Sequence, residues 1–393
     1  MPPKAKTSQA DLDLLMQLMR IPGKSGEETE VAELITERLV KAGADPRWIV
    51  QDCAHRSTPI KGRCGNLILK IPGTRQPRRL LVSHMDTVPL CVGAEPVRKG
   101  NVIRSRNPRT GLGADNRAGC AVILQTALTL LKGDQPHPPL TFLWTVQEEI
   151  GLHGARNLSL AKLGKPKLAF NWDGGKANKL TIGATGGYRM EIVVRGLASH
   201  AGGAPEEGVS AIAIASLAIS DLHQRGWHGL IQQNGKLGTS NIGVIEGGAA
   251  TNVVADEVRL RAEARSHDSR FRKKIVQQIE QAFKRAAKQV KNIAGKAGKV
   301  EFDGRLDYDS FRLPTAEPCV EEAAAAARQV SGDVEFAIAN GGLDANWLSA
   351  RGIPTVSLGC GQENQHTVAE WLDVSEFRIA CDIALRLAQG DAD

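Results

Sequence analysis

Residue types that bind metal ions follow three apolar segments of this sequence, each at the point where the segment ends. The segment RLLVSHMD ends on His84 and Asp86, and LTFLWTVQEE ends on Glu148 and Glu149. The segment KLAFNWD ends on Asp173. Short apolar runs of this kind are typical of buried strands, and ligands of open α/β sheets gather at the carboxyl ends of the strands. We therefore expect these side chains to lie together at one edge of a sheet.

Two further segments add ligand-type residues to this set. Asp115 lies where a helix begins in GLGADNRAG, and His366 lies in the loop CGQENQHTV that follows the strand PTVSLG. Histidines with carboxylates suit zinc, and cobalt or manganese less selectively. The five candidate ligands are His84, Asp115, Glu149, Asp173 and His366. A single catalytic zinc takes three protein ligands, whereas five ligands with one shared carboxylate would serve two metal ions about 3.5–4 Å apart, an arrangement that suits hydrolysis of a carbonyl compound.

Each of these residues also has an ordinary structural explanation. Asp115 could be a helix N-cap, and a single His84 would commonly be a hydrogen-bonded core residue. The pair Glu148 and Glu149 could be a solvated strand end, and Asp173 with its two following glycines could form a turn. The metal hypothesis therefore depends on the convergence of these residues and not on any one of them.

The elements that must position these residues alternate between short apolar runs and helical patterns such as NRAGCAVILQTALTLLK. That alternation predicts an α/β fold, a mostly parallel sheet covered by helices. From residue 187 the pattern changes to more alternating strands and two helical segments, the order expected of an α+β domain with helices on one face of an antiparallel sheet. The sequence thus predicts a discontinuous catalytic domain, residues 1–186 and 307–393, and an inserted domain, residues 187–306.

Composition excludes several other classes of protein. The 393 residues carry 50 Lys+Arg and 43 Asp+Glu, but much of the excess lies in the amphipathic segment 270–299, where a solvated helix face explains it. No nucleic-acid partner is expected, because aromatic residues do not interleave with these basic residues. The seven cysteines form no CxxC pair, and no apolar run is long enough for secretion or for a bilayer. We expect a cytoplasmic protein without a membrane partner.

Longer motifs carry a family resemblance. The sequence resembles the two-zinc metallopeptidase family that includes peptidase T, carboxypeptidase G, dipeptidases and aminoacylases, and it is most similar to the peptidase T-like branch. The resemblance implies a zinc-exopeptidase fold whose inserted domain serves as a lid and as the surface of a homodimer. The matching segments cover nearly the whole chain and include LMRIPGKSGEETEVAELI, SHMDTVP, GLGADNRAG, QEEIGLHGA, DGG, SHAGGAPEEGVSAI, ATNVVADEVRLRAEARS and NGGLDANWL.

The resemblance also implies a role for each candidate ligand. Asp115 would bridge two zinc ions. His84 and Asp173 would complete the binding of one ion, and Glu149 and His366 that of the other. Cobalt or manganese could replace zinc.

The same resemblance implies which residues perform the chemistry. Glu148 would be the general base that takes a proton from water and returns it to the leaving amine. Asp86 would accept the second ring N–H of His84 and so orient that ligand. His200 would stabilise the tetrahedral oxyanion, and in dimeric relatives the equivalent histidine comes from the partner subunit.

Substrate contacts are expected from two regions. Asn252 and Arg265 of the inserted domain match positions that contact the substrate carbonyl or carboxylate in the family, although Arg265 could equally be a surface charge on a strand. The loop Asn340–Trp347 would line the pocket, with Gly341 and Gly342 allowing close approach of the backbone and Asp344 ordering the loop or binding an amine.

The predicted activity is that of an aminopeptidase acting on tripeptides. A carboxypeptidase, a dipeptidase or an N-acyl amino acid deacylase would use the same catalytic residues, so a short peptide or an acyl amino acid is the expected substrate. A non-catalytic binding protein with the same fold is the third hypothesis. Every position at which the family has a catalytic or ligand residue is filled here, which favours an enzyme.

Overall fold

The computed structural model describes residues 8–390, so the expectation that no apolar run is long enough for secretion or for a bilayer falls in part on residues outside the described ones. The described chain forms two compact units. The first contains the residues up to Ala184 and those from Arg312 onward, and the second is Thr185–Phe311. None of the described helices combines the length and the apolar character that crossing a bilayer requires.

Helices and strands alternate along the chain, with short 3₁₀ turns between some of them. The helices are α1 (Gln9–Arg20), α2 (Thr29–Lys41), α3 (Ala114–Lys132), α4 (His153–Arg156), α5 (Ala211–Gln224), α6 (Ser269–Gln289), α7 (Pro318–Ser331), α8 (Asp344–Ala350) and α9 (Val374–Gln389). The strands are β1 (Ile49–Gln51), β2 (Leu67–Ile71), β3 (Arg79–His84), β4 (Pro96–Lys99), β5 (Val102–Ser105), β6 (Leu140–Thr145), β7 (Leu168–Trp172), β8 (Lys179–Ala184), β9 (Gly186–Arg195), β10 (Gly229–Gln233), β11 (Lys236–Gly247), β12 (Glu257–Ser266), β13 (Lys299–Tyr308), β14 (Phe311–Arg312), β15 (Glu335–Ala339), β16 (Thr355–Leu358), β17 (Gln362–Glu363) and β18 (Trp371–Asp373).

The larger sheet of the first unit has the order β1-β2-β6-β3-β7-β16-β8-β14, with β15 paired to β8. Strand β3 lies between β6 and β7 and is parallel to both, and β16 continues the parallel set beside β7. Every residue of β3, β6 and β7 is buried, as expected for a sheet covered by helices on both faces. The predicted α/β fold with a mostly parallel sheet is confirmed, and the structure adds the antiparallel pairs β1–β2, β2–β6 and β16–β8.

Helix α3 is the main helical cover of these parallel strands. It packs on β3 and β7, and α1 and α9 pack beside it. Its residues from Ala118 to Ala127 are all buried, so the helix lies within the unit and has no solvated face there. A smaller antiparallel sheet, β17-β18-β5-β4, completes the first unit. The α3 N-terminus and the β17–β18 connection carry the two ligand candidates that do not follow the strands β3, β6 and β7.

The second unit is an antiparallel sheet of order β10-β11-β12-β9-β13. Strand β12 shows the alternation expected of a sheet with one buried face, since Val258, Leu260, Ala262 and Ala264 are buried and point to the helices. Helices α5 and α6 pack against each other and contribute to the same core. Strands β10 and β13 were not predicted, because their residues are mostly exposed and their apolar alternation is weak.

Candidate active site

Three neighbouring parallel strands bring their ends to one edge of the larger sheet. His84 is the last residue of β3, Glu148 and Glu149 follow β6, and Asp173 follows β7. Because β3 lies between β6 and β7, their side chains converge. Nε2 of His84 lies 4.0 Å from Oε2 of Glu148 and 4.0 Å from Oδ2 of Asp173. The convergence expected from the strand ends is thus present in the structure.

Asp115 lies between the two histidines. Its Oδ1 is 3.2 Å from Nε2 of His84, and its Oδ2 is 3.3 Å from Nε2 of His366. His366 also lies 2.9 Å from Oε2 of Glu149. Potential ligand atoms in this region form overlapping groups of three, each within 4.8 Å: His84 with Asp115 and Asp173, His84 with Glu148 and Glu149, and Asp115 with Glu149 and His366. A carboxylate that offers one oxygen to each histidine is suited to serve two metal ions.

The electrostatics of the cluster favour a cation. Burial, together with the charge of Asp115, raises the pKa of Asp173 to about 8 and that of Glu149 to about 7. Burial also raises the pKa of Glu148 well above its ordinary value, although the nearby His84 opposes this shift. Oε1 of Glu149 is buried and has no hydrogen-bond donor. Carboxylates held together in this way repel one another, and divalent cations bound by these same oxygens would remove the repulsion.

The histidines respond to the same charges in the opposite direction. Burial alone would lower the pKa of His84, but the charge of Glu148 and the hydrogen bond with Asp115 outweigh it and hold the pKa well above its ordinary value. Hydrogen bonds with Asp115 and Glu149 raise the pKa of His366 to about 10. Burial would raise the pKa of Asp115, yet its contacts with the two histidines lower it. In the absence of metal ions the imidazolium charges therefore offset part of the negative charge.

Asp86 connects the elements around the cluster. Its Oδ1 accepts the main-chain N–H of Glu148 at 2.9 Å, and its Oδ2 accepts that of Glu149 at 3.2 Å and the hydroxyl of Ser25 at 2.6 Å. Nδ1 of His84 lies 3.1 Å from the main-chain oxygen of Asp86 and 3.4 Å from its carboxylate. The carbonyl is thus the nearer acceptor for the ring, where the sequence had suggested the carboxylate, and the carboxylate mainly holds the segment after β6.

Ser25 and Glu28 were not identified as site residues from the sequence. Glu28 is fully buried, and its Oε1 accepts the N–H groups of Gly26 at 2.8 Å and Gln147 at 3.0 Å. The motif SGEE connects through these bonds and the Ser25–Asp86 bond to the residues that precede and include Glu148. The sequence feature that could have identified Glu28 is a charged residue between two helices, within a segment that matches the family.

The loop before α8 and the first residue of that helix contain the remaining candidates of the first unit. Asp344 is buried, its Oδ2 accepts the hydroxyl of Thr145 at the end of β6, and its Oδ1 is buried without a hydrogen-bond donor. Burial raises the pKa of Asp344 to about 6. Gly341 is exposed, and no atom lies within 4 Å of the place where a Cβ would stand, so its present surroundings do not demand glycine. Gly342 is half-buried.

Three candidates belong to the second unit. His200 is exposed, and its Nδ1 accepts the N–H groups of Gly202 at 3.2 Å and Gly203 at 2.9 Å. Asn252 lies beside it, since its main-chain oxygen accepts the N–H of the residue after His200. Arg265 on β12 makes two hydrogen bonds to Glu263, at 2.9 and 3.0 Å. The histidine ring is thus held from its Nδ1 side, and Arg265 already has an anionic partner.

Comparisons with known proteins agree on one family. The model of peptidase family M20/M25/M40 matches residues 80–390. The uncharacterised protein YqjE of Bacillus subtilis (strain 168) is 33% identical over 369 residues, which are 93% of this chain and 94% of that protein. The structure is similar to that of a tripeptidase from Staphylococcus aureus, with TM-score 0.86, 32% identity and 97% of each chain covered. It is also similar to aminopeptidase PepT from Bacillus cereus, with TM-score 0.81, 31% identity and 96% and 97% of the two chains covered. The chain belongs to peptidase family M20/M25/M40 and is a metallopeptidase, which confirms the family predicted from the sequence.

Proposed function

We propose that this metallopeptidase is an aminopeptidase that removes the N-terminal residue of tripeptides. The observation that carries the proposal is the position of Asp115 between His84 and His366, because it provides for two metal ions beside Glu148. Two structural relatives with more than 30% identity over nearly their whole length are named a tripeptidase and an aminopeptidase, which supports the choice of substrate.

We assign the metal ligands by these contacts and by the family resemblance. Asp115 would contact both ions, His84 and Asp173 one of them, and Glu149 and His366 the other. Zinc suits these ligands best, and cobalt or manganese could take its place. When bound, such a pair of ions polarises a peptide carbonyl and lowers the pKa of water.

Glu148 is the proposed general base. Its carboxylate lies no closer than 4.0 Å to His84, whereas Glu149 is engaged with His366 at 2.9 Å. Its main-chain N–H donates to the carboxylate of Asp86, which fixes the position of the Glu148 backbone. Burial raises the pKa of Glu148, which makes the carboxylate a stronger base toward water and lets the acid form return the proton to the leaving amine.

His200 is the proposed donor to the oxyanion. Two main-chain N–H groups point at its Nδ1, so in the neutral ring Nδ1 is the acceptor and Nε2 carries the proton. An N–H at Nε2 is the group that stabilises negative charge on a tetrahedral oxygen. The assignment of the proton to Nε2 therefore depends on the hydrogen bonds of the loop, while the catalytic role depends on the family resemblance.

Substrate contacts, assembly and location complete the proposal. Asn252, Arg265, Gly341, Gly342 and Asp344 are the proposed substrate contacts, and a substrate carboxylate at Arg265 would have to compete with Glu263. We propose a homodimer formed through the second unit, which would also act as a lid, on the strength of the family resemblance. The cysteines of the described residues are free thiols, which fits a cytoplasmic enzyme.

The test is product identification with zinc-loaded protein, using tripeptides, dipeptides, C-terminally extended peptides and N-acyl amino acids. Release of the N-terminal residue from tripeptides supports the proposal. Glu148→Gln should keep both metal ions and lose turnover, whereas the matched variant Glu149→Gln should lose metal. Release of C-terminal residues, or cleavage of acyl amino acids alone, would replace the proposal with a carboxypeptidase or a deacylase. No turnover of any substrate with two metal ions bound would indicate a binding protein.

A further inference from the structure

Glu370 is a buried carboxylate that has no part in the chemistry described so far. It is 2% exposed and directly precedes β18. Its Oε2 accepts the main-chain N–H groups of Leu112 at 2.6 Å and Gly113 at 2.8 Å, and its Oε1 accepts that of Asp115 at 3.0 Å. The thiol of Cys91 lies 3.5 Å from Oε2. The carboxylate thus binds three amides of the segment that carries the shared ligand candidate.

These bonds hold the irregular segment that precedes the regular turns of α3. Asp115 and Asn116 have non-helical backbone angles, with ψ of 102° and 41°, so the regular helix begins after Asn116. The side chain of Asn116 caps that helix, since its Oδ1 accepts the N–H of Gly119 at 3.0 Å. The N–H groups of Leu112, Gly113 and Asp115 lie before this cap, and buried main-chain N–H groups require an acceptor. Glu370 supplies it to Asp115 from 255 residues further along the chain.

The same residue closes the loop that carries His366. The main-chain N–H of Glu370 donates to the oxygen of Thr367 at 3.2 Å, so a turn joins Glu370 to the residue next to His366. His366 itself has a φ of 62°, in the left-handed region, and its position therefore depends on how this loop is held. Glu370 thus binds the segment 112–115 through its side chain and closes the loop of His366 through its main chain.

We propose that Glu370 is a positioning residue that sets the separation between the side chains of Asp115 and His366. This inference depends on the metal centre of the proposed function. Its carboxylate oxygens bond to main-chain amides, so it acts through Asp115 and His366 and is not itself a ligand. Removal of its charge leaves the amides of Leu112, Gly113 and Asp115 with a poorer acceptor. The segment that carries Asp115 and the loop that carries His366 can then move apart.

The test compares metal affinities. In Glu370→Gln the side chain keeps its shape, but its NH₂ group faces amides that need an acceptor. Zinc affinity measured by chelator competition should fall about 10- to 100-fold for one of the two ions, as for the loss of other groups that orient ligands. Activity should fall in kcat at limiting zinc and recover in part with excess zinc, with KM little changed. Glu370→Asp keeps the charge on a shorter side chain, so its zinc affinity should lie between those of wild type and Glu370→Gln. It replaces the Gln variant in the test if that variant does not fold.

Asp52→Asn is the matched control. Asp52 is also buried and accepts main-chain N–H groups of Ala54 at 2.9 Å, Asn66 at 3.0 Å and Ser159 at 3.3 Å. Its loss should lower the melting temperature of metal-free protein without changing zinc affinity.

Unchanged zinc affinity in Glu370→Gln, or an equal fall in Asp52→Asn, overturns the inference. The two proposals can also fail separately. A wild-type protein that binds two zinc ions but cleaves no peptide refutes the proposed function, while the comparison of zinc affinities still decides the role of Glu370.

Discussion

The carboxylate of Asp86 accepts the main-chain N–H of Glu148 at 2.9 Å. The first residue lies two positions after the histidine that ends β3, and the second follows the neighbouring strand β6. One bond therefore ties the loop beside a proposed metal ligand to the proposed general base. Asp86 is fully buried, so the bond forms away from water and its loss leaves a polar group without a partner.

We expect Asp86→Asn to reduce activity strongly. The N–H groups of Glu148 and Glu149 bond to different oxygens of the carboxylate, and the amide that replaces it puts an NH₂ group at one of these places, so one N–H loses its acceptor. Turnover and zinc affinity should fall about 10- to 100-fold. The free energy of unfolding should fall by about 1–3 kcal/mol, because a buried donor is left unsatisfied. Steady-state kinetics at saturating zinc, chelator competition and urea unfolding would measure the three effects.

Ser25→Ala provides a graded comparison. It removes only the 2.6 Å hydrogen bond to Oδ2 of Asp86 and leaves both main-chain bonds of that carboxylate. The expected loss is about 1 kcal/mol of stability, with a smaller effect on turnover than that of Asp86→Asn. Equal losses in the two variants would show that holding the segment after β6 is not the function of Asp86.

We expect a chelator to remove the two metal ions in a fixed order. The His366 side chain is 53% exposed, whereas that of His84 is 2% exposed. Water and chelator therefore reach the His366 side first. Zinc release followed with a colorimetric chelator should be biphasic in the wild type, and His366→Ala should bind about one ion and lack the fast phase. A fast phase that persists in His366→Ala would contradict the assignment of this ligand.

Local sequence patterns were sufficient to predict the ends of the parallel strands. β3, β6 and β7 are short and mostly apolar, and a histidine or carboxylates end or follow each of them. Their order in the sheet, β6-β3-β7, then brings His84 to the carboxylates that follow its neighbours. The convergence could be predicted because it depends on strand direction, which the alternation with helices indicates.

The groups that hold the ligands could not be predicted in the same way. Glu370 bonds to Asp115 across 255 residues, and Ser25 bonds to Asp86 across 61. No local periodicity carries such pairings, since they depend on how loops pack after the sheet has formed. The choice between the carbonyl and the carboxylate of Asp86 as the partner of His84 depends on distances of 3.1 and 3.4 Å, which residue types alone do not determine.

Asp221 of α5 should give the second unit a pH-dependent contribution to stability. It accepts hydrogen bonds from Arg225 at 2.5 Å and from Arg285 of α6 at 2.5 Å. Burial would raise the pKa of Asp221, but the two arginines lower it below its ordinary value. A carboxylate with a depressed pKa stabilises the folded state above its unfolded pKa, and this contribution is lost as pH falls through the folded pKa.

Asp221→Asn should therefore be less stable than wild type at pH 7, by up to about 1 kcal/mol for a partly exposed pair. The difference should shrink as the pH falls toward about 3. Urea unfolding at several pH values measures it. A difference that is independent of pH would mean that packing, and not charge, accounts for the effect.

Substitutions of His200 should distinguish between its two ring nitrogens. Its Nδ1 accepts the N–H groups of Gly202 and Gly203, which leaves the proton on Nε2. His200→Ala should lower kcat about 10²- to 10³-fold with little change in KM or zinc content, because a donor used only in the transition state is lost. The amide of Gln reaches the place of Nε2, and that of Asn reaches the place of Nδ1. His200→Gln should therefore retain more activity than His200→Asn, measured as kcat on a tripeptide, and the reverse order would assign the donated proton to Nδ1.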